Sequence, residues 1–374
     1  LQELGPDHFL LELFHGPTLA FKDVALQLLG QLFDFVLSQR EQRLTIIGAT
    51  SGDTGGAAIE ALKGLENVSV FILHPEGRIS ATQRRMMTTV SADNIHNMAV
   101  EGTFDDCQAL VKQMFADQEF RTRINMGAIN SINWARIMAQ IVYYFTSAAA
   151  LGAPGKQVSY VVPTGNFGDI FAGYAAHQMG LPVAGLGIAT NTNDILRRTV
   201  ETGVYEPSGT VPTVSPSMDI QVSSNFERLL YECGGRDPEF VTGLMDDLAT
   251  KGMFQIDREP LAHIKSLFCA ASSDEQETRE KIRQLSDEYG LLVDPHTAVG
   301  LVATDKLRES AEITGPVVTL ATAHPAKFPD AVAEAAGIMP QLPEAYADLF
   351  DREECCSVLP NDAELVQTHI LDRV

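Results

Sequence analysis

The sequence predicts an α/β protein built on parallel sheets that are wrapped by helices. Short β-branched runs recur along the chain, and three of them lead into a glycine-rich or polar loop and then into a helical pattern. Such alternation of strands and helices is typical of parallel sheets. The chain has 374 residues, 45% of them hydrophobic, which is enough for about two domains.

Five runs are predicted as strands: RLTIIGA (43–49), VSVFIL (68–73), QVSYVVP (157–163), VAGLGIA (183–189) and GPVVTLA (315–321). The segments TSGDTGG, TGNFGD and TAHPAKFPD follow the first, third and fifth of these runs. In open parallel sheets, ligands bind beyond the carboxyl ends of the strands. The three segments are therefore predicted to lie at the ligand-binding edge of a sheet.

Composition argues against several classes of protein. The 27 basic and 49 acidic residues give a formal net charge of −22, which repels phosphate backbones and anionic lipids, so we expect no nucleic-acid or membrane partner. The most apolar stretch, 137–150, is too short to span a bilayer. The five cysteines form no CxxC pair, which favours a reducing, cytoplasmic location over a disulfide framework. No metal-ligand spacing is present.

The segment TSGDTGG has the composition of an anion-binding loop. Gly52, Gly55 and Gly56 allow a ligand to approach the main chain closely, and Ser51 and Thr54 add hydroxyl groups. The helix that follows would direct its free N–H groups at a carboxylate or phosphate. A plain strand-to-helix turn with a capping residue explains the same pattern.

The segment PTGNFGD repeats this arrangement. Gly165 and Gly168 flank Asn166 and Phe167, and Asp169 opens a helical pattern. No GK[ST] follows either loop, so neither is a P-loop, and no G-x-G-x-x-G follows a strand. Two anion-binding loops without a nucleotide fingerprint favour a small anionic ligand.

Lys22 is a candidate nucleophile. It follows the apolar tripeptide Leu19-Ala20-Phe21 and precedes a helical pattern from Asp23 to about Gln39, with one apolar face predicted at Val24, Leu28, Leu29, Leu32 and Val36. The amino end of a helix and apolar neighbours both disfavour an ammonium, which lowers the pKa of the amine, as a Schiff-base lysine requires. An ordinary surface lysine is the alternative.

Five segments together resemble the threonine synthases, pyridoxal-phosphate enzymes of the tryptophan-synthase-β-like fold (fold type II). They are FHGPTLAFKD (14–23), GATSGDTGGAA (48–58), NSINWARI (130–137), VPTGNFGDIFAGY (162–174) and ATAHPAKF (321–328). The resemblance extends from about Glu12 to Phe328 and is to the bacterial and fungal branch. It implies that Lys22 binds the cofactor, pyridoxal 5'-phosphate, covalently.

The resemblance also implies the other site residues. The loop Gly165, Asn166, Phe167, Gly168 and Asp169 would hold the cofactor phosphate, and Thr322 would offer its hydroxyl to the pyridine nitrogen. The substrate carboxylate would be bound by Ser51, Gly52, Asp53 and Thr54. Arg136 is the first candidate to bind the substrate phosphate and Lys327 the second, with a structural ion pair as the alternative for Arg136.

The family converts O-phospho-L-homoserine and water to L-threonine and phosphate, the last step of threonine biosynthesis. A phospholyase that releases 2-oxobutyrate is an alternative, as is a catalytically silent paralogue. A cysteine-synthase-like enzyme fits less well, since those relatives carry Asn at the position of Asp53. We expect a monomer or a homodimer.

The resemblance predicts two domains with the cofactor between them. Residues 1–29 and 146–374 would form the larger cofactor-binding domain, including a C-terminal extension of about 340–374. Residues 30–145 would form a smaller α/β domain with the substrate-carboxylate loop. Only eleven residues precede Glu12, fewer than this branch usually has, so part of a leading domain is expected to be absent.

Overall fold

The structure, a computed structural model, describes all residues from 1 to 374. The strands are β1 (Gln2–Gly5), β2 (His8–Glu12), β3 (Leu44–Ala49), β4 (Val68–Pro75), β5 (Ile95–Glu101), β6 (Met126–Gly127), β7 (Val158–Pro163), β8 (Val183–Thr190), β9 (Val204–Tyr205), β10 (Phe254–Gln255), β11 (Phe268–Ser272), β12 (Val317–Ala321) and β13 (Ser357–Pro360). All five strands predicted from the sequence are present.

The α-helices are α1 (Lys22–Arg40), α2 (Asp53–Leu62), α3 (Ala81–Thr88), α4 (Phe104–Ala116), α5 (Gln118–Arg123), α6 (Trp134–Ala150), α7 (Gly168–Gln178), α8 (Ile195–Thr202), α9 (Phe226–Cys233), α10 (Pro238–Lys251), α11 (Arg258–Lys265), α12 (Glu275–Tyr289), α13 (Pro295–Glu309), α14 (Pro329–Ala336) and α15 (Ala363–Leu371). Short 3-10 turns span Pro216–Met218, Pro325–Lys327 and Glu344–Tyr346. None of the helices has the length and apolar character needed to cross a membrane.

The chain divides into two compact units. The large unit contains Leu1–Leu13 and Ile137–Pro340, and the small unit contains Phe14–Arg136 and Gln341–Val374. Each unit has its own sheet and its own hydrophobic core. The predicted α/β class with two parallel or mixed sheets is confirmed.

The large unit is built on a six-stranded sheet in the order β1-β2-β12-β7-β8-β11. β1 pairs antiparallel with β2, and every other pair is parallel. The strands β12, β7 and β8 are buried almost along their whole length, as expected for a sheet covered on both faces. Helix α13 is also buried, and its Val299, Ala303 and Leu307 pack against residues of β7, β8 and β12.

The small unit is built on a parallel five-stranded sheet in the order β13-β5-β4-β3-β6. Alternate strand residues point to opposite faces, so Ile46 and Val70 pack with α1 and α2, whereas Ile47 and Phe71 pack with α4 and α15. The two faces account for the two hydrophobic clusters of this unit.

The observed division of the chain differs from the predicted one in three segments: residues 14–29 and 341–374 belong to the small unit, and residues 137–145, in α6, belong to the large unit. Residues 341–374 belong to the small unit, because β13 pairs with β5 and Val366 and Ile370 are buried with α4. Residues 14–29 belong there too, because Leu26 and Leu29 pack on α2. Lys22 and the TSGDTGG loop therefore lie in the same unit.

Helix α1 has the predicted bounds to within one residue but buries a different face. Of the five residues of the predicted apolar face, Leu29 is buried, and the other four, Val24, Leu28, Leu32 and Val36, are 36–42% exposed. The buried face also contains Leu26 and Leu37. The reason is that α1 approaches α2 closely at Gly30, where a Cβ atom would lie 2.3 Å from the Ala61 carbonyl oxygen. The buried face is the one that contains this glycine.

Candidate active site

Lys22 opens α1 at the end of a tightly held turn. The Asp23 carboxylate, 2% exposed, accepts hydrogen bonds from the Thr18 backbone N–H (2.8 Å) and from the Thr18 hydroxyl (2.5 Å). Gly16 is required here, because a Cβ atom would lie 2.5 Å from the Asp23 Cβ. The Tyr346 hydroxyl donates to the Pro17 carbonyl oxygen. Asp23, which fixes the turn before Lys22, was not among the predicted site residues.

The Lys22 side chain is buried and paired. It is 7% exposed, and its Nζ lies 3.2 Å from Asp53 Oδ2 and 5.5 Å from the centre of the Phe21 ring. A carboxylate and an aromatic face both stabilise an ammonium. These contacts favour the charged amine, whereas the two influences predicted from the sequence, the helix amino end and the apolar neighbours, disfavour it.

The TSGDTGG loop is drawn tight around the Thr50 hydroxyl at the carboxyl end of β3. Thr50 Oγ1 accepts the backbone N–H groups of Gly52 (3.0 Å) and Gly55 (2.9 Å). Gly52 has a φ of 138°, and a Cβ atom there would lie 2.6 Å from the Gln83 side chain. Gln83 Nε2 donates to Asp53 Oδ1 at 2.9 Å. The Asp53 carboxylate is therefore shared between Lys22 and Gln83.

The TGNFGD loop joins β7 to α7 in the large unit. Phe167 is 1% exposed and has a left-handed φ of 64°. The side chain of Asp169 accepts hydrogen bonds from the hydroxyls of Tyr143 and Tyr144, the second at 3.1 Å. Burial, with the Asp169 carboxylate adding to it, raises the pKa of Tyr144 well above its usual value, so the phenol stays a donor. These contacts fasten the start of α7 to α6.

Residues 223–225, directly before α9, hold the carbonyl groups of this loop. The Ser223 hydroxyl donates to the Gly165 carbonyl oxygen at 2.7 Å. Both the backbone N–H (3.1 Å) and Nδ2 (2.9 Å) of Asn225 donate to the Asn166 carbonyl oxygen. In a planar trans peptide, the next N–H points opposite to the C=O. The N–H groups of Asn166 and Phe167 therefore point away from residues 223–225.

The loop presents several backbone donors in one short stretch. The first N–H groups of α7 have no partner within the helix, and they add to those of Asn166 and Phe167. Gly165 cannot carry a side chain, because a Cβ atom would lie 2.8 Å from the Ser217 carbonyl oxygen. Backbone amides with a helix amino terminus are a well-suited donor set for a phosphate group.

Thr322 follows β12, the strand next to β7 in the same sheet. It is 6% exposed, and its backbone N–H donates to Thr297 Oγ1 at 3.3 Å. Because adjacent parallel strands end at the same edge, the structure brings Thr322 and the Gly165–Asp169 loop to one edge of the large-unit sheet. This is the edge at which the sequence predicted a ligand.

The two candidate phosphate ligands are buried cations. Arg136, in the first turn of α6, is 5% exposed, and Lys327, in the turn Pro325–Lys327, is 1% exposed. Arg and Lys are almost never fully buried unless they are paired with anionic or accepting groups. Their burial sets them apart from the exposed arginines and lysines of the helices.

Comparison with known families identifies the chain. The profile described as "Pyridoxal-phosphate dependent enzyme" matches residues 1–323, and the profile described as "Threonine synthase, C-terminal" matches residues 297–370. Threonine synthase from Pseudomonas aeruginosa is 53% identical over 371 residues, which cover 99% of this chain and 79% of that protein.

Solved structures agree with the sequence relatives. A PLP-bound threonine synthase from Brucella melitensis superposes with a TM-score of 0.96 at 55% identity, covering 99% of this chain and 79% of that one. Threonine synthase from yeast gives a TM-score of 0.91 at 44% identity, covering 97% and 77%. The predicted resemblance and fold type are confirmed, and the chain belongs to the threonine synthase family of pyridoxal-phosphate dependent enzymes.

Proposed function

We propose that the chain is a threonine synthase, a lyase that uses pyridoxal 5'-phosphate to convert O-phospho-L-homoserine and water to L-threonine and phosphate. The observation that carries this proposal is the 53% identity to a threonine synthase over 99% of the chain. The buried Lys22, held beside Asp53 by a fixed turn, is consistent with it.

The residues present fit the proposed cofactor. In the large unit, the backbone donors of the Gly165–Asp169 loop match a phosphate group, and Thr322 supplies a hydroxyl at the same sheet edge. In the small unit, Lys22 supplies the amine. The proposal that these groups bind one and the same cofactor rests on the family resemblance.

When bound, pyridoxal phosphate supplies an electron sink for breaking C–H bonds beside the substrate amine. Lys22 Nζ is proposed as the base that takes the proton from the substrate α-carbon and as the group that moves the β-proton. Asp53 Oδ2 holds the amine whenever it is protonated. The ion pair therefore keeps Lys22 oriented between proton transfers.

The TSGDTGG loop is proposed to bind the substrate carboxylate. Ser51 and Thr54 would contribute hydroxyls, and Asp53 would contribute its backbone N–H at the amino end of α2. The Gly52 N–H donates to Thr50 Oγ1, so Gly52 would contribute by letting the carboxylate approach the main chain closely. Asp53 acts through its backbone in this proposal, because its carboxylate is bonded to Lys22 and Gln83. A second carboxylate presented to the substrate would repel it.

Arg136 and Lys327 are proposed to bind the substrate phosphate and then the phosphate that leaves. A buried cation pairs strongly with a doubly charged anion, since the surroundings screen the interaction less than water does. Arg can bind two phosphate oxygens at once, whereas Lys acts as a point charge.

The test is to incubate the cofactor-loaded protein with O-phospho-L-homoserine and to quantify phosphate, threonine and 2-oxobutyrate together. Equal amounts of phosphate and threonine support the synthase. Phosphate released with 2-oxobutyrate instead would identify a phospholyase. If the protein binds the cofactor but releases nothing, the silent-paralogue alternative replaces the proposal.

We further propose a cytoplasmic location and a monomeric or homodimeric state. The proposed location is supported by the five cysteines, all of which are free, since disulfides are rare in reducing compartments. Sedimentation equilibrium of the loaded protein tests the assembly state, and a mass of three or more chains would contradict it.

A further inference from the structure

A buried carboxylate outside the proposed chemistry lies at the amino end of α13. Asp294 is 0% exposed. Its Oδ1 accepts the His296 backbone N–H at 2.9 Å and lies 2.8 Å from His296 Nδ1. Its Oδ2 accepts the Thr297 backbone N–H at 3.3 Å and the Thr297 hydroxyl proton. A helix cap needs only the backbone contacts, so the two side-chain contacts need another explanation.

The Thr297 contact leads to Thr322. A threonine hydroxyl has one proton, and Thr297 gives it to Asp294. The oxygen is left as an acceptor, and it receives the Thr322 backbone N–H at 3.3 Å. Asp294 thereby makes Thr297 Oγ1 the acceptor of the Thr322 N–H. This hydrogen bond holds Thr322, the residue proposed to contact the pyridine nitrogen.

The His296 contact leads to the phosphate loop. With Nδ1 donating to Asp294, a neutral His296 has Nε2 free to accept, and Nε2 receives the Ser217 backbone N–H at 3.2 Å. The ring also packs on Phe328 at 4.8 Å between centroids. The Ser217 carbonyl oxygen is the atom that a side chain at Gly165 would strike. His296 therefore fixes the position of Ser217, against which the Gly165–Asp169 loop packs.

We propose that Asp294, His296 and Thr297 form a positioning cluster that sets the two cofactor contacts of the large unit at once. Thr297 orients Thr322 through its hydrogen bond to the Thr322 backbone. His296 fixes Ser217, against which the Gly165–Asp169 loop packs. None of the three touches the reacting atoms. The inference rests on the proposed function, since it concerns how the proposed cofactor is held.

The test uses two substitutions at each residue. One removes the hydrogen-bonding group (Thr297→Val, His296→Phe), and the other is conservative and keeps it (Thr297→Ser, His296→Gln). Each variant is titrated with pyridoxal phosphate, and the absorption spectrum and the 31P chemical shift of the bound cofactor are recorded. We expect Thr297→Val to move the absorption band and leave the 31P shift unchanged. We expect His296→Phe to move the 31P shift and to weaken binding about tenfold, the size of one lost hydrogen bond.

The conservative variants should restore both signals, because Ser keeps the hydroxyl and Gln keeps an acceptor. Folding is checked by thermal unfolding, and Thr297→Ala and His296→Leu replace Thr297→Val and His296→Phe should these not fold. The inference would be overturned if Thr297→Val and His296→Phe unfolded at lower temperature but bound pyridoxal phosphate with wild-type spectra and affinity. The three residues would then serve only to cap α13. A wild-type protein that does not bind pyridoxal phosphate would overturn the proposed function instead, which is a distinct result.

Discussion

The two units build their parts of the proposed site in different ways. In the small unit, the group proposed to contact the cofactor is a charged side chain, Lys22, with Asp23 holding the turn before α1 and Asp53 paired with Lys22. In the large unit, the groups proposed to contact the cofactor are backbone N–H groups and a neutral hydroxyl, and the charged Asp294 lies behind them. A site made of side chains can be disabled by one truncation, whereas a site made of backbone is disabled by moving the chain.

The largest effect is expected from Lys22→Ala. Loss of the amine removes the proposed base, so kcat should fall by about 10³-fold or more, and the absorption band of the lysine-bound cofactor should disappear. Lys112→Ala, at an exposed position on α4, is the matched control and should leave both unchanged. Wild-type turnover in Lys22→Ala would show that the Lys22 side chain takes no part in the reaction.

Gly165→Ala tests the backbone side of the comparison. The added Cβ atom would lie 2.8 Å from the Ser217 carbonyl oxygen, and such overpacking costs about 1–3 kcal/mol, which is about a 5- to 150-fold loss of cofactor affinity if it displaces the loop. Gly209→Ala is the control, because nothing lies within 4 Å of its added atom. Equal affinity in both variants, measured by titration, would contradict a role for this loop.

The buried cations test which side chain binds the substrate phosphate. Truncation of Arg136 to Ala should raise KM about 10- to 150-fold, since a charge-assisted hydrogen bond contributes about 1.5–3 kcal/mol. Lys327→Ala is measured beside it, with the exposed Arg121→Ala as control. An unchanged KM for Arg136→Ala, with a raised KM for Lys327→Ala, would transfer the role to the lysine.

Five strands and the loops that follow three of them were predictable, and the residues that hold these loops in place were not. Apolar, β-branched runs such as QVSYVVP predict buried parallel strands, and the loops after them predict a ligand-binding edge. Asp23 and Asn225 have no such signal, because each is defined by a partner brought close only by the turn or the tertiary fold. Asp294 bonds residues two and three positions away, but its connection to Thr322 runs through Thr297 and exists only in the folded chain. The face of α1 was mispredicted for a similar reason, since the approach at Gly30 decides which side packs.

A smaller effect is expected in the turn before Lys22. Thr18→Val removes the hydroxyl that donates to the buried Asp23 carboxylate. We expect the free energy of unfolding to fall by about 1.5–3 kcal/mol, as for hydrogen bonds to charged groups. Thr250→Val is the control, because the exposed Thr250 hydroxyl donates only to a backbone carbonyl. Urea unfolding gives both values, and an equal loss in the two variants would mean that Asp23 adds nothing.

The smallest effect concerns His74, at the carboxyl end of β4 in the small unit. Burial lowers the pKa of His74, and the nearby Arg84 lowers it further, against the raising effects of a hydrogen bond to the Pro75 carbonyl oxygen and of Glu354. The unfolded chain, with an ordinary histidine pKa of about 6.5, binds a proton before the folded protein does. His74 therefore contributes stability that is present above about pH 6.5 and is lost as the pH falls toward its folded pKa. His74→Gln should reduce the fall in unfolding free energy between about pH 7 and about pH 5, measured by urea unfolding across this range. Since the neutral donors of the phosphate loop do not titrate in this range, cofactor affinity in His74→Gln should follow the wild-type pH profile even where stability does not.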